Sequence, residues 1–269
     1  MSKLLTIFFA AMAVVAASAA PAAAGITGTI TTESGDTNKG VIRWSARDKA
    51  YVITTGGIEL QVKTSDVAEI DIAKPTGWDQ IVAQVEKGNG AAAIVPLTKI
   101  VKEYAHLEWD RAAARYLAEA YLAAGNAEKA LAAANEVIDG EKSAAYKGEL
   151  APAYWSALLA LNRISKLEDV LAKAAASGDR FSSGAALNMR GDILYKAGGE
   201  TEDAARKALS EGYLRVALLY TDASVASRLR PEALYKAAKC FEKLRMNTRA
   251  DAFRTELKKN YAASPWASK

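Results

Sequence analysis

A pattern of large and small apolar residues, closed by a turn glycine, constrains the second part of this chain more than any other feature. Its clearest copy runs from Tyr116 to Ala130, with Leu117 large, Ala118 small, Tyr121 aromatic and Gly125 in the turn. Small residues let two helices approach closely, and large residues fill the gap between neighbouring units. Glycine takes a turn conformation that side chains resist. The pattern predicts two helices joined as a hairpin.

The same pattern recurs, with decay, along the chain. An incomplete first copy has the predicted helices Trp78–Glu86 and Ala91–His106 around a Gly88-Asn89-Gly90 turn. The third copy has Tyr154, Leu158 and the turn residue Ser165, and the fourth has Leu187, Gly191 and Gly198. The last copy has Leu234 and Ala238, with Arg245 in place of the turn glycine. The small positions that we match are Ala118, Leu158, Gly191 and Ala238. They are 40, 33 and 47 residues apart, which predicts helices or loops of unequal length. About five hairpins exceed the roughly three that a continuous repeat core needs.

The segment from Tyr116 to Ala130 resembles the tetratricopeptide repeat, and the resemblance implies an α-solenoid. The segments Tyr213–Tyr220 and Pro231–Leu244, with the ending Tyr261–Ala267, are similar to bacterial envelope repeat proteins of the outer-membrane-assembly and cell-division-coordinator families. Unlike those families, this chain has no lipid-attachment cysteine and begins with a β-domain. The resemblance therefore implies kinship at the level of the repeat.

Residues 25–74 follow a different period, rich in Thr, Val, Ile and Gly. Ile58, Leu60 and Val62 alternate with polar residues, as in a half-buried strand, and Pro75 ends this unit. The predicted strands are Ile26–Thr32, Gly40–Ser45, Lys49–Thr54, Gly57–Lys63 and Val67–Ile72. Their spacing resembles a small SH3-like or Sm-like barrel, although the RNA-contacting motifs of Sm proteins are not evident. We therefore predict a mainly α chain: a small all-β barrel-like domain over residues 25–74, then a TPR-like α-solenoid of about five helical hairpins over residues 77–269.

The N-terminus predicts export. Lys3 is followed by the apolar run Leu4–Val15 and by small residues ending at Ala24, the order of a secretory signal peptide with a cut after Ala19 or Ala24. The alternative is a retained membrane anchor, since residues 4–24 are uncharged and about long enough to span a bilayer. Their second half, mostly Ala with Ser and Pro, is weakly apolar. We therefore predict a signal peptide over residues 1–24, a periplasmic or secreted protein, and no membrane span in the mature chain.

The composition of the chain limits which classes of partner, metal site and catalytic site we expect. The formal net charge is +4 without a run of five like charges, which gives no indication of a nucleic-acid partner. The single cysteine, Cys240, excludes an intramolecular disulfide framework. With that cysteine and the single histidine, His106, the usual zinc and copper ligand sets cannot assemble within one chain. No phosphate-loop frame or nucleophile elbow occurs. We predict no metal, no cofactor and no enzymatic activity.

Surface recognition remains as the function. In tetratricopeptide arrays, residues flanking the packing positions of the first helix line a groove that binds a partner. The resemblance carries this role to Arg115, Glu119, Trp155, Asn188, Asp192, Tyr195, Tyr235 and Lys239. The predicted function is an exported scaffold or adaptor that binds a protein or peptide in the cell envelope. The alternative is a self-associating component of an envelope or secretion assembly, which the mass in solution without ligand would distinguish.

Overall fold

The computed structural model describes residues 25–269, so the predicted signal peptide lies outside the described residues. The strands are β1 (Ile26–Thr32), β2 (Thr37–Ser45), β3 (Ala50–Thr55), β4 (Ile58–Lys63) and β5 (Val67–Ile72). The helices are α1 (Trp78–Glu86), α2 (Gly90–Glu103), α3 (Trp109–Ala123), α4 (Ala127–Ile138), α5 (Leu150–Ala160), α6 (Ile164–Ala176), α7 (Arg180–Ala197), α8 (Glu202–Ala208), α9 (Leu214–Leu219), α10 (Ala223–Lys243) and α11 (Asn247–Asn260). The prediction of strands followed by a longer helical part, in a mainly α chain, is confirmed.

The five strands form one antiparallel sheet in the order β4-β3-β2-β1-β5. The chain passes from the edge strand β4 to the opposite edge strand β5 through a short 3₁₀ turn, Thr64–Asp66. A connection of this length reaches about 14 Å, whereas a flat sheet of five strands would be about 19 Å wide. The sheet is therefore strongly curled. Its inner side buries Ile30, Ile42, Ile53, Val62 and Ile72.

The link between α2 and α3 completes the core of this sheet. Leu107 is 1% exposed and packs in the same apolar cluster as the inner residues of the strands. Its neighbours His106 and Glu108 have positive φ angles, 63° and 53°, which non-glycine residues seldom adopt. The link is therefore bent tightly on both sides of the inserted leucine.

Hydrogen bonds hold this link to the sheet. The Tyr51 hydroxyl donates to the His106 carbonyl at 2.9 Å, and the Trp109 indole N–H donates to the Ile72 carbonyl at 3.2 Å. The Asp110 carboxylate accepts the backbone N–H of His106 at 2.7 Å. Burial raises the pKa of Asp110, and its backbone hydrogen bonds oppose that rise. The strands and the helices are thus joined through buried polar contacts as well as a shared core.

Residues 78–260 form five helical hairpins that turn through the same pair of backbone hydrogen bonds. At Gly125, the N–H donates to the Leu122 carbonyl at 3.0 Å, and the following N–H donates to the Tyr121 carbonyl at 2.8 Å. The equivalent pair recurs in every hairpin, and its first donor always has a positive φ. These donors, which we call the turn residues, are Gly88, Gly125, Asn162, Gly199 and Arg245.

The observed spacing of the turn residues differs from the predicted spacing of the repeats. They are 37, 37, 37 and 46 positions apart, so the spacings of 40, 33 and 47 predicted from the small residues are wrong, and Ser165 lies inside α6. The left-handed turn requires a backbone conformation that glycine adopts at no steric cost, yet Asn162 and Arg245 also adopt it. A search for glycine therefore misses two of these turns.

A buried apolar position, alanine in four hairpins and leucine in one, follows each turn at constant spacing. Five residues after each turn residue, the side chain is at most 3% exposed and packs between helices. These positions are Ala93, Ala130, Leu167, Ala204 and Ala250. No helix within residues 25–269 combines the length and apolar character needed to cross a membrane.

Candidate functional site

The first helices of the five hairpins lie side by side and form one continuous surface. In order they are α1, α3, α5, α7 and α10, and each contacts the next. We call this surface the A-helix face. The eight residues predicted to line a groove all lie on these helices, but the structure divides them into buried and accessible groups.

Trp155 and Asn188 are buried, so their prediction as groove residues is wrong. Trp155 is 0% exposed, and its indole N–H donates to the Ala145 carbonyl at 2.8 Å. Asn188 is 2% exposed, and its amide donates to the Leu229 carbonyl at 3.3 Å. Both side chains lie in the interior of the array and cannot contact a partner.

The turn residues explain this error. Trp155 lies seven residues before Asn162, just as Ala118 lies seven residues before Gly125, and both are fully buried. Asn188 lies eleven residues before Gly199 and is likewise buried. One residue of misalignment rotates a side chain by about 100° around a helix. Alignment of the repeats by their small residues misaligned α5 by three positions and α7 by one relative to α3. Buried positions in these helices were therefore predicted to be surface positions.

Arg115 and Glu119 belong to a cluster of charged residues that extends across the A-helix face. Arg115 on α3 donates to Glu119 at 2.9 Å and to Glu149, just before α5, at 2.7 Å. The other carboxylate oxygen of Glu149 contacts the guanidinium of Arg228 on α10 at 2.7 Å. One carboxylate therefore connects the second hairpin to the fifth. We call Arg115, Glu119, Glu149, Phe181 and Arg228 the arginine cluster.

Aromatic rings support both guanidinium groups of the arginine cluster. Arg115 lies 4.7 Å from the ring centre of Tyr116, and Arg228 lies 3.9 Å from that of Phe181. Burial alone lowers the pKa of Arg115, but the charge of Glu119 and its hydrogen bond raise it above the ordinary value. Because the ring faces hold the guanidinium planes, their remaining N–H groups are oriented before any partner arrives.

Asp192 lies in a second polar cluster, further along the A-helix face. Its carboxylate accepts hydrogen bonds from the Tyr213 hydroxyl at 2.7 Å and from the Lys236 ammonium at 2.6 Å. Lys236 also contacts Glu232 at 2.5 Å. The side chains of Asp192 and Lys236 are about one-fifth exposed, at 19% and 20%. We call these four residues the C-terminal cluster.

The charges of the C-terminal cluster depend on one another. Burial raises the pKa of Asp192, and Lys236 opposes that rise. Burial lowers the pKa of Lys236, but Glu232 and Asp192 raise it above its ordinary value. With two carboxylates around one ammonium, the ionised cluster carries a net negative charge.

The three remaining predicted residues differ in accessibility. Tyr235 is partly exposed, and the ring of Trp266 lies 5.4 Å from it. Lys239 is exposed, with its ammonium 5.9 Å from the Tyr235 ring. Tyr195 is half-buried against the small core that contains Cys240. The structure thus brings Tyr235 and Lys239 together but leaves Tyr195 on another part of α7.

Several residues of these surfaces were absent from the predicted site, and we list them together: Glu149, Phe181, Tyr213, Arg228, Glu232, Lys236 and Trp266. The segment matched to repeat proteins started at Pro231, whereas α10 begins at Ala223 and already includes Arg228. Helices interrupted by proline are uncommon, which hid this first part of α10. The only signal for Trp266 was its place in the repeat-like ending Tyr261–Ala267.

The single histidine and the single cysteine lie apart in packed surroundings. Within residues 25–269, no group of three or more His, Cys, Asp or Glu side chains is arranged to hold a metal ion. The His106 ring stacks at 4.3 Å on Trp44. Cys240 is buried, and burial raises its pKa to about 12. Both side chains have packing roles in this structure.

Comparisons with known proteins give a general likeness of fold. No family model and no curated protein matches the chain. Two crystal structures of kinesin light chain repeats from Podosopora anserina, described as nearly identical TPR-like repeats, are similar to it. The similarity covers 67% of this chain and 91% of each of those chains, with 14% identity and a TM-score of 0.39. At that level the likeness assigns a role to no residue.

Proposed function

We propose that this chain is a non-enzymatic scaffold whose A-helix face binds a protein or peptide segment. An array of helical hairpins presents a long, preformed surface, which suits recognition of an extended partner. We also assign the hairpins to the tetratricopeptide superfamily, on the recurring turn and the buried apolar position, mostly alanine, that follows it.

The arginine cluster is the observation that carries the proposal. Arg and aromatic residues supply much of the binding energy at protein interfaces. Here Arg115 and Arg228 lie on aromatic rings, are joined through Glu149, and come from hairpins far apart in sequence. Their polar edges remain partly exposed, with side-chain exposures of 28% and 40%. A partner carboxylate could pair with either guanidinium without much rearrangement.

Two further assignments belong to this proposal. The curled sheet, with β5 beside β1 and a 3₁₀ turn after β4, supports an SH3-like barrel for residues 25–74. The order of charged, apolar and small residues before Gly25 supports export to the periplasm or outside the cell, and hence a partner in the envelope. N-terminal sequencing of the native protein tests the export; a chain that still starts at Met1 or Ser2 would contradict it.

Affinity capture from an envelope extract, followed by peptide identification, tests the proposed binding face. The wild-type chain is compared with Arg228→Ala, which removes one guanidinium of the arginine cluster. Truncating an anchor residue commonly costs about 2 kcal/mol, and each 1.4 kcal/mol is tenfold in affinity. We therefore expect the Arg228→Ala chain to bind the specific partner with an affinity at least tenfold lower than that of the wild-type chain.

Arg206→Ala is the matched control. Arg206 is an exposed arginine on α8 that pairs only with Glu202 and Asp203 on its own helix, among the contacts of residues 25–269. This variant should retain the partner at the wild-type level. Equal capture by all three folded chains would place the binding surface elsewhere.

A further inference from the structure

The C-terminal segment, residues 261–269, folds back onto the A-helix face. After α11 the chain makes a short 3₁₀ turn, Pro265–Ser268, which contacts α10. The Trp266 ring lies 5.4 Å from that of Tyr235 and 5.6 Å from the Lys236 ammonium. Further along, the Lys269 ammonium lies 3.8 Å from the centre of the Trp266 ring. The aromatic residue of the segment thus lies on this part of the face, and the basic residue that follows it packs on the aromatic ring.

The surface beneath Trp266 is chemically suited to such a segment. Tyr235 supplies a ring for edge or tilted stacking. The neighbouring C-terminal cluster holds Asp192 and Glu232 around a single ammonium, that of Lys236. Its net negative charge favours a basic ligand, and the aromatic ring of the ligand limits the access of water to the ion pairs.

The contact of the segment with this surface is local. Beyond Trp266 and Ala267, which pack partly against the core, residues 262–265 and 268–269 have partly or fully exposed side chains. The segment is anchored at its start, where the Tyr261 hydroxyl accepts a hydrogen bond from Arg230 at 2.9 Å. The segment thus lies against α10 and α11 through Tyr261, Trp266 and Ala267, and the Trp266 ring is its largest contact with the A-helix face.

We propose that Tyr235 and the C-terminal cluster form a peptide subsite that accepts an aromatic residue followed closely by a basic one. The chain's own C-terminal segment fills this subsite until a partner segment of the same chemistry replaces it. The inference rests on the proposed function, since the subsite belongs to the A-helix face, but it concerns residues other than the arginine cluster.

The C-terminal segment competes with a free peptide for the subsite, and this competition sets the apparent affinity of the peptide. A ligand on a short flexible tether is present at an effective concentration of about millimolar. A free peptide with an affinity of about 100 µM therefore binds the wild-type chain roughly tenfold more weakly than a chain whose own ring has been removed. The inhibition is modest, so that a partner segment of moderate affinity can enter.

The test uses the full-length chain and a fluorescently labelled synthetic peptide of residues 261–269. The Trp266→Ala chain, which opens the subsite, should bind this peptide in an anisotropy titration roughly tenfold more tightly than the wild-type chain does. Adding Tyr235→Leu to the Trp266→Ala chain removes the stacking ring and should weaken binding roughly tenfold. Lys243→Ala, an exposed change one turn beyond Lys239 on α10, is the matched control and should leave the affinity unchanged.

Three results would overturn the inference. One is a folded Trp266→Ala chain that does not bind the peptide at millimolar concentration. Another is binding that Tyr235→Leu leaves unaffected. The third is unfolding of the Trp266→Ala chain, because a replaceable segment must be dispensable for the fold. None of these results bears on capture through Arg228, so failure of the subsite and failure of the proposed function can be told apart.

Discussion

The Tyr213 hydroxyl donates a hydrogen bond to the Asp192 carboxylate at 2.7 Å, across the crossing of α7 with the π-helical turn Leu209–Tyr213. Two glycines make this crossing unusually close. A Cβ atom added to Gly212 would lie 2.7 Å from the Cα atom of Gly191. The close approach lets the hydroxyl reach a carboxylate that Lys236 also contacts, so the ion pair between α7 and α10 has a third partner.

Tyr213→Phe removes this hydrogen bond and keeps the ring. Hydrogen bonds to charged groups contribute about 1.5–3 kcal/mol, so we expect a loss of that size in the free energy of unfolding. Denaturant titration measures it. The control is Tyr146→Phe, because the Tyr146 hydroxyl makes no hydrogen bond within the part of the chain that the structure describes. Equal losses for both variants would mean that the Asp192 contact contributes nothing.

Leu107→Ala should destabilise the strands and the helices together. Truncation of a fully buried leucine costs about 2–5 kcal/mol, because it removes apolar contacts and leaves a cavity. Leu218→Ala is the control, since Leu218 is 65% exposed and should cost little. Circular dichroism and tryptophan fluorescence, followed in one denaturant titration, should show a single transition at lower denaturant. An unchanged midpoint would place Leu107 outside the core of the sheet.

Trp155→Ala should reduce the free energy of unfolding much more than Tyr235→Ala does. Two equivalent groove residues would instead give similar, small losses. Trp155 is buried, so its truncation should cost about 3–5 kcal/mol of unfolding free energy. Tyr235 is partly exposed, lies against the Trp266 ring and packs at the edge of the core, so its truncation should cost less than that of Trp155, with about 0.5–1.5 kcal/mol from the lost ring contact. Thermal or denaturant unfolding gives the order directly. A larger loss for Tyr235→Ala than for Trp155→Ala would place Trp155 on the surface, as the matching of small residues predicted.

Tyr121 and Leu158 occupy the same position relative to their turns but differ in burial. Tyr121 is half-buried and lines a cavity of about 180 Å³ between α2 and α4, whereas Leu158 is fully buried. The repeat pattern alone predicts a cost of about 3–5 kcal/mol for Tyr121→Ala. With the cavity present, we expect about 1–2 kcal/mol, below the 2–5 kcal/mol of Leu158→Ala. A larger loss for Tyr121→Ala would contradict the half-exposed position.

Cys240 should make the fold sensitive to alkaline pH. Below about pH 9 the thiol is protonated in both states, but above it the unfolded thiol ionises while burial holds the folded pKa at about 12. The free energy of unfolding should therefore fall as the pH rises from about 9 towards 12, by up to about 1.4 kcal/mol per pH unit. Cys240→Ala should lose less stability between pH 8 and pH 10 than the wild type. Parallel losses would show that another group causes the decline.

Local chemistry made the strands and the first helix predictable. β1, β5 and α1 have the predicted bounds, because alternation of apolar residues, turn glycines and Pro75 mark their ends in the sequence. The other strand ends differ by at most three residues. These features depend on neighbours along the chain, which a single sequence displays.

The site was less predictable, because its members come from distant parts of the chain. Arg115 meets Arg228 through Glu149, and Trp266 meets Tyr235, only after the hairpins have packed. One available signal was missed: α5 is apolar on almost every side, a composition typical of a helix surrounded by others. Trp155 could have been placed in the interior on that ground.

The recurrence of the turn at 37 residues also bears on how such a chain could grow. Removing or duplicating one whole period between the turns at Gly88 and Gly199 would return every later side chain to the same angular position. A change of any other length would rotate the following helices relative to their neighbours. The longer step to Arg245 accommodates the π-helical turn and α9, so the crossing that holds Asp192 belongs to one end of the array. The first four turns therefore follow one period, and the end of the array, with its ion cluster, follows another.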